Sequence, residues 1–447
     1  MKEISSFFKF SEMKINFRIE ILAGLTTFMT MAYVLAVQPA ALVGFGPDAS
    51  MLDVNGVLIS KSAIFIVTAL VSALITLFMG LYAKMPFALS TGMGANFMLG
   101  TLIQGQALSF GQAMALTLIS GIIFVALTIF GIRDLIVRMI PKNIKVSIGV
   151  SIGFFIAYLG FKNTGIAVYS NGMAMGDFTQ PTVYLAILGL LIIAVLTAYQ
   201  VKGAILFGIL AITLLGIPFG VTKVPSSLFM VPSLNDVDSV LFNLDFKDIF
   251  NPNGIVLMFI IFFGDFFSTL GTVLGVGKKA NMLDEEGNLP NIQKPFLVDA
   301  IGTCVGALTG CTTITTFVES SAGVEAGGRT GFTSIVVSIL FLGMMFLAPL
   351  GLMIPNAATG PALIFVGLLM IKGIKDIDLD DFSEAFGPFI MLMFVTFMGS
   401  IAAGIAAGII AYVVLKVLTG KAKEIHPGMY VLMIPLILYF IFNKPLV

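Results

Sequence analysis

The sequence predicts an all-α polytopic membrane protein, with fourteen transmembrane segments arranged as two inverted seven-segment repeats. Three observations predict it. Hydrophobic residues make up 58% of the 447 and charged residues only 11%, with a mean hydropathy of +1.05, whereas a soluble chain carries about a quarter charged residues. Apolar stretches close to the ~20 residues that a helix needs to cross a bilayer recur along the whole chain. They fall seven and seven around one polar stretch, and a repeat with an odd number of crossings must come out inverted in the membrane.

Residues 1–19 spread charge through the run MKEISSFFKFSEMKINFRI and lack the uninterrupted apolar core of a signal peptide. They read as a cytoplasmic amphipathic lead-in. The first repeat, 20–217, holds segments near 20–43, 63–82, 87–103, 110–131, 145–161, 181–199 and 203–217. An extracytoplasmic linker, 218–252, carries the polar run VPSLNDVDSVLFNLDFKDIFNPN. The second repeat, 253–443, holds segments near 253–275, 294–310, 314–323, 331–354, 358–372, 385–418 and 428–443. With both termini cytoplasmic, 17 of the 24 Lys and Arg fall inside, as the positive-inside rule requires. Lys416, Lys421 and Lys423 cluster on the wrong side and mark the weakest stretch of this topology.

With a net charge of zero, nucleic acid is not an expected partner. Cys304 and Cys311 lie seven apart in one apolar run, hence on one helical face, and read as packing residues rather than a disulfide. His426 stands alone in a polar loop, no metal-ligand spacing occurs, and no cofactor is expected.

The third segment, PFALSTGMGANFMLG (86–100), and the tenth, around TTFVESSAG (315–323), are both short and rich in Gly or hydroxyl residues. Corresponding interrupted segments in two repeats point to a binding site made of broken helices. Glycines that merely let helices approach explain IAAGIAAG (401–408) but not STGMGAN, which adds two hydroxyls and an amide. Asp265 and Glu319 are the acids well inside segments; Glu20 and Glu384 sit at segment edges, and Asp299 is expected at the cytoplasmic end of the ninth. The few Lys that fall in a segment lie at its ends, so no Lys, Arg or His is available inside one to pair Asp265 or Glu319. An ionised side chain there costs several kcal/mol without a partner, so both mark a site for a ligand rich in N–H donors, or for a proton. The bland reading is a protonated acid bonded to a neighbouring helix.

At these residues the chain resembles a known family. GDFFSTLGTVLG (264–275) and TTITTFVESSAGVEAGGRTG (312–331), with EILAGLTTFMTMAYVLAVQPAAL (20–42) and PFALSTGMGANFMLG, look like the AzgA-like branch of the nucleobase/cation symporter-2 (xanthine/uracil permease) family, the adenine/guanine/hypoxanthine permeases. The resemblance runs from Glu20 to about Gly408. It implies a core domain of segments 1–4 and 8–11, a gate domain of segments 5–7 and 12–14, an elevator movement, and a short strand paired with a half-helix in segments three and ten. It also implies that Asp265 and Glu319 hold the base and couple the proton, with Asn96, Ser268 and Ser320 nearby. Backbone at Gly94, Ala95 and Val318 would complete the base's edge, and Phe97 or a phenylalanine of GDFF could stack on it. A homodimer in the plasma membrane is the assembly it suggests.

Departures from the family pattern bear on specificity. Ser268 stands where a second acid is usual, Gln38 where Asn precedes Pro, and Ala403 where a polar residue follows Ser-Ile-Ala. These three, with Thr316, are the expected specificity residues. The expected function is import of guanine, hypoxanthine or adenine by proton symport, with Na⁺ left open because TGCTTITT (309–316) offers oxygen ligands. Alternatives are a uracil/xanthine permease, a sulfate-type anion transporter of the same fold, whose anion two acids would repel, and more remotely an intramembrane hydrolase using an Asp265–Glu319 dyad.

Overall fold

The structure is a computed structural model and describes residues 6–8, 10, 16–45, 49–131, 139–169, 173–284 and 289–442. Most of the expected lead-in lies outside the described residues, as do Lys2, Lys9, Lys14, Arg133, Arg138 and Lys444 of the charge count. Among the described residues nine helices are long and apolar enough to cross a membrane, and three shorter apolar helices accompany them.

The first segment is two helices, α1 (Phe17–Met31) and α2 (Val34–Val43), broken at Ala32 and Tyr33. A hairpin of β1 (Ser50–Leu52) and β2 (Leu58–Ser60) leads to α3 (Lys61–Phe78), which Ser60 caps by accepting from the Ala63 amide. Then β3 (Leu89–Thr91) runs into the half-helix α4 (Met93–Gln104). A capping box of Ser109 and Gln112 opens α5 (Phe110–Ile129). Next come α6 (Lys142–Thr164), the hairpin β4 (Ala167–Tyr169) and β5 (Met173–Met175), α7 (Pro181–Ala198) and α8 (Ala204–Leu215).

The second half begins with α9 (Pro252–Lys279) and α10 (Gln293–Thr309). It continues through β6 (Ile314–Thr316), the half-helix α11 (Ser320–Glu325), α12 (Gly331–Met344), the short α13 (Ala348–Leu352) and α14 (Asn356–Ile371). It ends with α15 (Phe382–Met398), α16 (Ile401–Leu418) and α17 (Pro427–Phe442).

One expected segment is corrected. The stretch 385–418 is two helices, α15 and α16, because Gly399 adopts φ +58° and Ser400 caps α16 through the Ala403 amide. One helix over that stretch would measure about 50 Å, against ~30 Å of hydrocarbon. The two cysteines do not share a helix face either. α10 ends at Gly310, φ +87°, which leaves Cys311 in the following loop, buried, while Cys304 stays in the helix; both are free thiols.

The helices pack as two groups. In one, α6 lies against α14 and α15, α7 and α8 lie against α14, and α15 lies against α16. In the other, α1 to α5 pack with α9 to α12. At the centre of the second group β3 pairs antiparallel with β6, Leu89 opposite Thr316 and Thr91 opposite Ile314, all of it buried. The half-helices fit closely: a Cβ on Gly323 of α11 would lie 2.0 Å from Thr27 Oγ1 and 2.6 Å from the Ala23 carbonyl of α1.

Candidate functional site

The site grows out of the two strand-to-helix junctions. Gly92 leaves β3 with extended backbone, donates its N–H to the Thr313 carbonyl at 2.9 Å, and has Thr313 Oγ1 where a Cβ would stand. The first amides of α4, from Met93 to Ala95, therefore have no acceptor one turn back. At the other junction the Val318 amide finds no acceptor among the described residues, while the Glu319 amide turns to its own carboxylate. Two sets of free backbone donors thus emerge from the paired strands, Gly94 and Ala95 among one and Val318 in the other. Val318 is half exposed, and Gly94 and Ala95 line a crevice with Met98, Ile152 of α6, Gly264 of α9 and Ile401 of α16. That crevice lies between the two helix groups.

Asp265 is buried beside it. Its Oδ2 lies 2.7 Å from Thr303 Oγ1, while its Oδ1 is buried with no partner. A buried carboxylate oxygen left unmatched is a standing cost that an N–H or O–H from a ligand or proton would remove. Glu319 precedes α11 and caps no amide with its side chain; its Oε1 accepts from Tyr33 at 2.8 Å. The two acids therefore each keep acceptor capacity, on helices α9 and α11 that pack together.

A third acid belongs to this region and sequence reasoning misplaced it. Asp299 lies seven residues into α10 and is fully buried, not at a segment end. Its Oδ1 accepts from the Thr316 amide at 2.7 Å and the Thr316 hydroxyl at 2.8 Å, and its Oδ2 from Thr269 at 2.8 Å. Thr269 Oγ1 is also 2.9 Å from Thr315 Oγ1. Asp299 thereby clamps β6 to α9 and α10. The signal that could have found it is the row of hydroxyls, Thr269, Thr315 and Thr316, with no other acid to serve. Glu20 is likewise fully buried, accepting five hydrogen bonds from Arg329, Thr330 and Thr333 at the start of α12.

Other expected site residues are spent on the scaffold. Asn96 is fully buried, donates to Gln38 Oε1 at 2.9 Å, and accepts from Thr312. Gln38 in turn donates to the Cys311 carbonyl at 3.2 Å. Ser320 accepts the Ala88 amide at 3.0 Å, and Thr316 serves Asp299. Ala403 is half-buried in the first turn of α16, near the crevice residue Ile401. Ser268 is exposed on α9, one turn from Gly264, and Gly264, Gly271 and Gly275 on the same face have no atom within 4 Å of a Cβ position. Phe97 stacks on Phe45, and Phe266 and Phe267 of GDFF lie in an aromatic cluster, so none of these rings is free to meet a ligand.

The profile of the xanthine/uracil permease family, described as a permease family, matches residues 18–407. The chain belongs to this permease family. Among its relatives, a putative permease of Methanocaldococcus jannaschii is 40% identical over 99% of both chains. A guanine/hypoxanthine permease of Bacillus subtilis is 37% identical over 99% of this chain and 100% of that one, and an adenine permease of Escherichia coli is 35% identical over 97% and 95%. This permease is a transporter, not an enzyme, and a multi-pass membrane protein. Its fold is that of the transmembrane domain of a cyanobacterial bicarbonate transporter (TM-score 0.61, 14% identity, 88% of this chain and 98% of that one). The murine solute carrier 26 A9 anion transporter in its inward-facing state is similar too (TM-score 0.62, 12% identity, 91% and 69%). At such identity the likeness concerns the fold alone.

Proposed function

We propose that this permease imports a purine nucleobase, guanine, hypoxanthine or adenine, across the plasma membrane by proton symport, with the first-listed helix group acting as a gate and the strand-centred group as a moving core. The observation that carries the reading is the pair of acids with acceptor capacity to spare, the buried Oδ1 of Asp265 and the Glu319 carboxylate, next to free backbone amides. A purine edge offers both donors and acceptors and so matches carboxylates beside N–H groups. Proton binding to Glu319 or Asp265 and base binding at the same site form one linked cycle, so each raises the affinity for the other. The relatives named as purine-base permeases support the substrate class. The anion reading finds fold neighbours but would set a negative substrate against two carboxylates.

The test is uptake of radiolabelled guanine, hypoxanthine, adenine and uracil in cells lacking their own carriers, with wild type, Glu319→Gln and Asp265→Asn, with and without a protonophore. Purine uptake lost in both variants and collapsed by the protonophore supports the proposal. Uptake that needs Na⁺ instead would replace the proton, and normal uptake in both variants would remove these acids from the site.

The fourteen-segment, two-repeat arrangement is part of the same proposal, with its last members reassigned. α15 and α16 take places thirteen and fourteen: α15 packs on α6 as α7 packs on α14, and short connections join α15 to α16 as they join α7 to α8. Lys416, Lys421 and Lys423 then share the side of Asn143, whose Nδ2 is 3.3 Å from Glu384 Oε2, while Lys416 Nζ is 2.7 Å from Glu384 Oε1. α17 becomes an addition beyond the repeat. The Tyr439 hydroxyl reaches Ser400 at the opposite end of α16, so α17 runs back along that helix and residue 442 faces the side away from His426. Against the 17 cytoplasmic cations of the sequence reading, three are gained and Lys444 is lost, making 19 of 24. A reporter active only outside the cytoplasm, fused after Val447, is expected to be active; silence there, with a cytoplasmic reporter active, would restore the even count.

A further inference from the structure

We propose that Tyr33 is a positioning residue of the transport site, holding the Glu319 carboxyl in one orientation while its proton comes and goes; this rests on the reading of Glu319 as a ligand of the base. The tyrosine sits where the first segment breaks, between α1 and α2, and its side chain is 2% exposed. The ring is therefore fixed by packing, and its one polar atom is aimed at Glu319 Oε1 over 2.8 Å.

Tyr33 is the one other residue that holds that carboxylate. Glu319 makes no cap to α11, and among the described residues its carboxylate meets the Tyr33 hydroxyl and its own backbone amide. A glutamate hung from a broken segment has several rotamers to choose from, and ordering them on ligand binding costs affinity. A single fixed donor removes most of that cost before the ligand arrives. The hydroxyl takes up one carboxylate oxygen and leaves the other for the base.

Tyrosine suits a group that changes its protonation state. A phenol both donates and accepts, so it serves a carboxylate as donor and can stay in contact with the protonated acid by accepting. A backbone amide or a lysine can only donate, so neither could take up the O–H of the protonated acid. The pair also travels together. The Thr30 hydroxyl lies 3.4 Å from the Glu319 carbonyl, and Gly323 of α11 is seated against Ala23 and Thr27 of α1. Any movement of α11 against the gate group carries Tyr33 with it.

Tyr33→Phe keeps the ring and deletes the donor. With transporter in proteoliposomes, the KM for the transported purine is expected to rise about 10-fold or more, the loss expected for one hydrogen bond to a charged group. Maximal rate per folded transporter and melting midpoint should change little. The pH at which uptake is half-maximal should move to higher values, because a carboxylate deprived of a donor holds its proton more tightly. In a Glu319→Gln background, base binding followed by thermal shift should lose almost nothing further on adding Tyr33→Phe. An unchanged KM and pH profile in Tyr33→Phe, with Glu319→Gln inactive, would overturn this inference and leave the site standing. An equal loss of binding from Tyr33→Phe in both backgrounds would also overturn it, since the tyrosine would then act apart from Glu319. Normal transport by Glu319→Gln would overturn the site itself.

Discussion

Asn96 donates to Gln38 over 2.9 Å, and both side chains are fully buried. The bond ties α4 to α2, and the Gln38 amide goes on to the Cys311 carbonyl ahead of β6. Gln38→Leu would leave Asn96 and that carbonyl without their partner. Each orphaned buried group costs about 1–3 kcal/mol, so the detergent-purified variant should melt at a lower temperature than wild type. An unaltered melting curve would show that water replaces the glutamine.

Asp299 should be less tolerant still. Its Oδ1 receives two donors from Thr316, and Asp299→Asn would present either an amide to those donors or one fewer acceptor to Thr269. Purine uptake is expected to fall at least 10-fold with a lowered melting midpoint, because β6 carries the junction to Glu319. Asp299→Asn that melts and transports normally would reduce the clamp to an ornament of packing.

Two glycines make a contrast. Gly323→Ala drives a methyl to within 2.0 Å of Thr27 Oγ1, next to backbone that cannot give way, and overpacking of this kind costs typically 1–3 kcal/mol or more. Gly264→Ala meets nothing within 4 Å, so it should fold and melt like wild type while slowing uptake by narrowing the crevice. Expression, melting and uptake of the two variants side by side test both halves; a well-folded Gly323→Ala would contradict the close seating of α11 on α1.

Outside the membrane, the Lys421 ammonium, with the hydroxyl and amide of Ser383, holds the Asp381 carboxyl below the usual carboxylate range. A carboxyl depressed in the folded state contributes stability above its unfolded value near 4, and that contribution is lost as pH falls toward the folded value. Lys421→Met should therefore melt slightly below wild type at pH 7, and the gap should close as the pH is taken below about 4. The pair is well exposed, 38% and 40%, so the gap is small and should shrink in high salt. A gap that persists unchanged into acid would assign the effect to something other than this ion pair.

The membrane character, the broken third and tenth segments and the placement of Asp265 and Glu319 inside the membrane-spanning part were legible along the chain, because hydropathy, interruption and an acid in an apolar run are local properties. Asp299 was not. Its helix is averaged with a polar flank when hydropathy is read over a window of about 19 residues, so an acid seven residues inside looked like one at the edge. Gly399 was hidden for a similar reason, since the apolar run continues unbroken on both sides of the turn.

What the sequence by itself determined is how much of the chain must lie in a bilayer and which polar residues cannot be there idly, since the cost of burying a charge is paid residue by residue. Only the tertiary structure decided which of those residues keep a free valence. Asn96 meets Gln38 across 58 positions, Tyr33 meets Glu319 across 286, and Leu89 pairs with Thr316 from the other half of the chain. Hydrogen bonds saturate pairwise, and the pairing depends on which distant segments meet in space, so a polar residue's freedom to bind a ligand is a property of the fold.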